Sequence, residues 1–166
     1  VTEDRDMRIL VAYDTTFGNT ERIARAIADA LAEAGAVEAR PIGEVQTPDI
    51  EAVDLFVAGG PTQRHGASPA LVTWLQELAR SDLSGTRAAV FDTRYPMAKL
   101  WSGSAADAIA RWLRRAGCTL VGPPESFFVE TDAPEPGEGR RHDLARLQLG
   151  EAERAAVWAR RLVNST

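Results

Sequence analysis

The chain is short of several features that would fix a function at once. It has 166 residues and one cysteine, Cys118, which leaves no partner for an internal disulfide and excludes a multi-cysteine metal site. Cys118 stands in an apolar run, so it reads as a core residue; a reactive thiolate needs an exposed, electropositive setting. Histidine is equally scarce. His65 and His142 support neither a Ser-His-Asp nor a Cys-His constellation, and His142 beside Asp143 reads as a solvated surface pair rather than a ligand pair. No apolar run approaches the roughly eighteen residues of a membrane helix, and residues 1–5 lead into no signal-peptide core, which points to a cytoplasmic protein. Basic charge is short as well: the formal net charge of −5 argues against a nucleic-acid partner. Neither a Walker loop nor G-x-G-x-x-G follows the first apolar run, which argues against nucleoside triphosphate or dinucleotide binding there.

What is present is an ordinary globular composition, 45% hydrophobic and 26% charged, in a length suited to one domain over 1–166. The run 8–13 reads as a buried strand that stops at a polar turn. From Thr20, Ile23, Ala24, Ile27, Ala28 and Leu31 keep the rhythm of a helix burying one face, ended by Gly35. The unit then repeats. A weak strand over 37–42 is partly broken by Pro41, and a clear one over 54–58 runs into Gly59-Gly60-Pro61. A helix starts near Ser68-Pro69, a strand covers 87–91, and another helix follows Ser104. The segments 118–121 and 127–129 form a last strand or its two halves, before a final helix over 151–163. Alternating strands and helices predict a doubly wound α/β fold, a three-layer α/β/α sandwich on a five-stranded parallel sheet. Ligands of such sheets bind beyond the carboxyl ends of the strands, which gathers the loops 14–20, 59–68 and 92–103. The segment 130–146, rich in Pro, Gly and charge, reads as a surface excursion with no evident role.

The first of these loops carries the chemistry. Thr15, Thr16, Asn19 and Thr20 stand with Gly18 between a buried strand and a helix. The unpaired N–H groups and partial positive charge of a helix N-terminus favour a phosphate, hydroxyls and amides add donors, and Gly18 allows close backbone approach. With no Lys or Arg in the loop, the phosphate would be held by neutral dipoles. A plain turn capped by Asn19 or Thr20 explains one such side chain, not the whole set.

The order Tyr13, Thr15, Gly18, Thr20, with Ala24 beyond it and Asn19-Thr20-Glu21 within it, resembles the FMN phosphate loop of the flavodoxin family. More loosely, the order and length of the elements resemble a short-chain flavodoxin over nearly the whole chain. The resemblance implies FMN as cofactor, with Thr15, Thr16, Phe17, Gly18, Asn19 and Thr20 around its phosphate. Phe17 departs from the commoner threonine and loses one side-chain donor, keeping its backbone N–H.

The same resemblance places the flavin ring between the two later loops. In the first, Pro61, Thr62, Gln63, Arg64 and His65 are the candidates, although the familiar tryptophan is missing. In the second they are Thr93, Arg94 and Tyr95, with Tyr95 the first candidate for stacking and Trp101 the second. Arg64, His65, Arg94 and Lys99 would make a cationic rim, which stabilises a reduced, anionic flavin and attracts anionic substrates. The implied function is an FMN-binding redox protein, an electron carrier working with a redox partner protein. Two alternatives remain at this point: a small FMN-dependent NAD(P)H or quinone-type oxidoreductase, and a flavin-free binding or regulatory module on the same fold.

Overall fold

The computed structural model describes residues 6–64 and 66–164. Its central sheet begins with β1 (Met7–Tyr13), flanked on one side by β2 (Gly35–Pro41) and on the other by β3 (Leu55–Pro61), then β4 (Arg87–Arg94). All these pairings are parallel, with Val11 opposite Val57 and Ala58 opposite Val90. β1, β3 and β4 are covered on both faces, which is why they read as continuous apolar runs rather than alternating ones. β2 lies at the edge of the sheet, where a proline can end a strand without breaking a ladder inside it.

The expected fifth strand is divided. β5 (Thr119–Leu120) and β6 (Glu125–Glu130) both pair in parallel with β4, and β7 (Arg146–Leu147) adds an antiparallel edge to β6, so the sheet has seven strands rather than five. Gly122-Pro123-Pro124 separates the halves; prolines have no N–H to give a ladder. The edge hairpin turns the excursion into a loop, 131–145, whose two ends are fixed to each other in the sheet.

Helices cover both faces. α1 (Asn19–Leu31) packs with α6 (Glu151–Asn164) on one side, over Ile9, Val11, Val57 and Phe91. α3 (Pro69–Leu78) and α5 (Ala105–Arg115) cover Leu10, Phe56, Ala58 and Val90 on the other. Two short helices add to these: α2 (Thr47–Glu51), started by a Gln46–Asp49 capping box, and α4 (Lys99–Ser102), inside the expected 92–103 loop. Phe91, Phe127 and Trp158 form an edge-to-face cluster beneath α6. Gly59 is required here, because a Cβ at that position would overlap the Phe91 ring. Cys118 is buried, and burial pushes its thiol up to about 11.

Candidate functional site

Three turns at the carboxyl ends of β1, β3 and β4 enclose a cavity of about 710 Å³, within the size range of small-molecule sites. Thr15, Thr16, Phe17, Asn19 and Thr20 line it from the first turn, Pro61, Thr62, Gln63 and Arg64 from the second, and Thr93, Arg94 and Tyr95 from the third. Of the residues expected there, Gly18 is not among those lining the cavity, and His65 lies outside the described residues.

The β1–α1 turn is built from its own side chains. Thr15 Oγ1 accepts the Gly18 N–H at 3.1 Å, and Gly18 adopts the left-handed conformation (φ 90°) as it opens α1. No side chain caps this helix, so neither Asn19 nor Thr20 plays the ordinary role of a cap. The first helical hydrogen bond runs from Arg22 N to Gly18 O, and the amides of Phe17, Asn19 and Thr20 make none among the described residues. Thr20 is buried, and its hydroxyl meets that of Thr93 at 2.7 Å. Its side chain is thus already engaged by the third turn, while its backbone N–H has no partner among the described residues.

Neighbouring turns are tied together. Gln63 Nε2 donates to Thr16 Oγ1 at 2.6 Å, and Ser68 Oγ donates to Asp14 Oδ2 at 2.5 Å. The Thr62 hydroxyl is engaged below the cavity: it donates to Asp92 Oδ2 and accepts from Ala105 N. Beside the loop, Tyr13 donates its hydroxyl to Glu21 at 3.0 Å. Burial and that carboxylate raise the Tyr13 pKa, while hydrogen bonds from Arg25 and Tyr13 lower that of Glu21.

The expected cationic rim is dispersed. Arg94 folds inward, Lys99 pairs with Asp107 at 3.1 Å, and Arg64 remains exposed in a left-handed turn (φ 43°). Further charge arrives from the excursion. Arg140 lies over the Tyr95 ring with its guanidinium 4.9 Å from the centroid, and His142 Nδ1 is 3.0 Å from the Tyr95 hydroxyl. Asn19 Nδ2 donates to Ala145 O at 2.8 Å. The segment expected to have no role thus straps the cavity from the β1–α1 turn to Tyr95, and His142, exposed as expected, also lines the cavity. Met97, Trp101, Ser102 and Val129 also line it, and Phe17 and Trp101 are largely exposed at its rim. Nothing in the local pattern around His142, Met97 or Val129 signals that position.

Among the described residues no group of three or more His, Cys, Asp or Glu is placed to hold a metal, and no helix is long and apolar enough to cross a membrane.

A flavodoxin family model matches residues 11–153. The chain is 26% identical to a flavodoxin of Clostridium saccharobutylicum, over 95% of this chain and 96% of that protein. It is 33% identical to "Putative diflavin flavoprotein A 5" of Nostoc sp. over 69% of this chain, but it spans only about one fifth of that protein's length. Among solved structures, flavodoxin 1 of Bacillus cereus superposes with a TM-score of 0.76 at 19% identity, covering 96% of this chain and 99% of that one. Rubredoxin oxygen:oxidoreductase of Desulfovibrio gigas superposes with a TM-score of 0.72 at 17% identity, covering 95% of this chain and 35% of that one. These last two likenesses concern the fold. With the family match spanning most of its length, the chain belongs to the flavodoxin family.

Proposed function

We propose that this chain is an electron carrier that binds FMN in the cavity between its β1, β3 and β4 turns. The observation that carries the reading is the N-terminus of α1: uncapped, with free amides, it opens into a cavity large enough for a cofactor. An orphaned set of N–H groups suits a phosphate, and the apolar and aromatic surfaces of Phe17, Tyr95 and Trp101 suit a flat ring, so the residues present fit FMN. Bound there, FMN would supply one- and two-electron transfer.

The protein's own part is binding, orientation and exclusion of water. Thr15 through Thr20 would surround the phosphate, with Thr15 keeping the turn preformed and the amides of Phe17, Asn19 and Thr20 as donors. Pro61, Thr62, Gln63, Arg64 and His65 would border the ring on one side and Thr93, Arg94 and Tyr95 on the other. Gln63 links the two regions through Thr16. The 131–145 strap, held by Asn19 and Tyr95, would shield the bound cofactor from solvent. Action as one domain over 1–166, a cytoplasmic location and a redox partner protein belong to the same proposal.

The test is reconstitution with FMN, desalting and stepwise reduction. The proposal expects a retained, perturbed flavin spectrum, reduction in two resolved one-electron stages and no sustained NAD(P)H oxidation. Sustained NAD(P)H oxidation would make the protein an oxidoreductase instead. A colourless protein that leaves FMN fluorescence unquenched would make it a flavin-free module.

A further inference from the structure

We propose that Arg94, paired with the buried carboxylate of Asp92, is the charge-setting residue of the cofactor pocket and favours the reduced state of the flavin. The inference rests on the FMN reading above. Asp92 lies behind the cavity wall and is fully buried. Its Oδ2 accepts from Thr62 Oγ1 at 3.0 Å, Ser104 Oγ at 2.7 Å and Ala106 N at 3.1 Å. Its Oδ1 is buried without a hydrogen bond, and Arg94 Nε stands 4.0 Å away. An unpaired carboxylate oxygen out of reach of water is costly unless a positive charge compensates it. Arg94 supplies that charge, and a guanidinium does not lose its proton in a protein.

Arg94 is itself nearly buried, its side chain 10% exposed. Nε donates to Ser126 Oγ at 2.9 Å, and Nη1 donates to Met97 O at 2.6 Å and to Ser102 Oγ at 3.2 Å. Its guanidinium lies 5.3 Å from the centre of the Phe128 ring. Nη2 makes no hydrogen bond among the described residues. All of the fixed partners except Asp92 are neutral, and the two members of the charge couple are placed asymmetrically: Arg94 lines the cavity and Asp92 does not. The positive member of the couple is thus the one at the cavity wall, and the negative member sits behind it.

This orientation has a redox consequence. Uptake of two electrons from the partner protein and one proton from solvent leaves the flavin ring with one negative charge. A nearby, poorly solvated cation stabilises that charge, and the effect is large where water is excluded. Arg94 therefore tightens binding of reduced FMN relative to oxidised FMN and raises the reduction potential. Asp92 moderates the same field, and Ser126, Met97 and Ser102 keep Arg94 in position without it, so removing each charge shifts the potential in opposite directions. A brace that only shaped the 92–103 loop would not produce opposite signs.

The test compares dissociation constants for oxidised FMN and for dithionite-reduced FMN, measured anaerobically on the wild type and on Arg94→Met, Arg94→Lys and Asp92→Asn. Arg94→Met is expected to weaken reduced FMN about tenfold relative to oxidised FMN. Arg94→Lys should restore most of the difference, and Asp92→Asn should shift the ratio the other way. Equal changes in both constants for Arg94→Met, or shifts of the same sign for Arg94→Met and Asp92→Asn, would overturn the proposal. If Asp92→Asn does not fold, the contrast between Met and Lys at position 94 decides. A wild type that binds neither form overturns the FMN reading itself, whereas one that binds both with variants unchanged in ratio overturns only this inference.

Discussion

Asn19 and Ala145, 126 positions apart in the chain, are joined by a hydrogen bond of 2.8 Å from the Asn19 side-chain amide to the Ala145 carbonyl. The turn after β1 and the 131–145 loop are therefore tied to each other. Replacing Asn19 by Ala removes roughly 0.5–1.5 kcal/mol of strap closure and should weaken FMN about three- to tenfold. Amide hydrogen exchange over 131–145 should quicken in the same variant. Unchanged exchange there would show that the strap is held elsewhere.

Cys118 provides a test of the core. With its thiol pushed up to about 11, only roughly one part in a thousand is thiolate at pH 8. An aromatic disulfide reagent at that pH should label the native protein no faster than it unfolds, and label it at once in denaturant. Rapid labelling without denaturant would contradict the burial of this side chain.

Acid stability should depend on Glu151. Burial alone would raise its pKa, but hydrogen bonds from Arg154 and from the Phe128 amide, at 2.7 Å, outweigh it and the net shift is downward. A carboxyl held below its ordinary value of 4.5 contributes stability that is complete above that value and lost as pH falls through the lower, folded one. Glu151→Gln should cost about 1–2 kcal/mol at pH 7 and flatten the loss of stability below pH 4.5, as followed by urea unfolding across pH.

Two glycines make a contrast in packing. Gly59→Ala forces a methyl group into the Phe91 ring and should cost about 1–3 kcal/mol. Gly43→Ala meets open space and should stay within about 0.5 kcal/mol of the wild type by thermal unfolding.

Much of the fold was legible because the strands buried on both faces carry unbroken apolar runs and α1 carries a single apolar stripe. The turn from Tyr13 to Thr20 was legible for a different reason: its polar side chains crowd a strand–helix junction beyond what a cap needs. The split of the last strand was foreshadowed by Gly122-Pro123-Pro124, but β7 was not, since two residues carry no period. The role of His142 was invisible, because its contact with Tyr95 spans 47 positions through a loop without hydrophobic pattern. The inward turn of Arg94 was equally hidden. A sequence shows a charge near a site, but the direction in which a guanidinium points depends on partners such as Ser126 that come from another strand.

The central claim is that the uncapped N-terminus of α1 receives the cofactor's phosphate. Titrating the protein with FMN and with riboflavin, which has the same ring and no phosphate, isolates that contact. Several charge-assisted hydrogen bonds to backbone amides should make FMN bind about a hundredfold or more tighter than riboflavin. Equal affinity for the two would contradict the assignment of this turn.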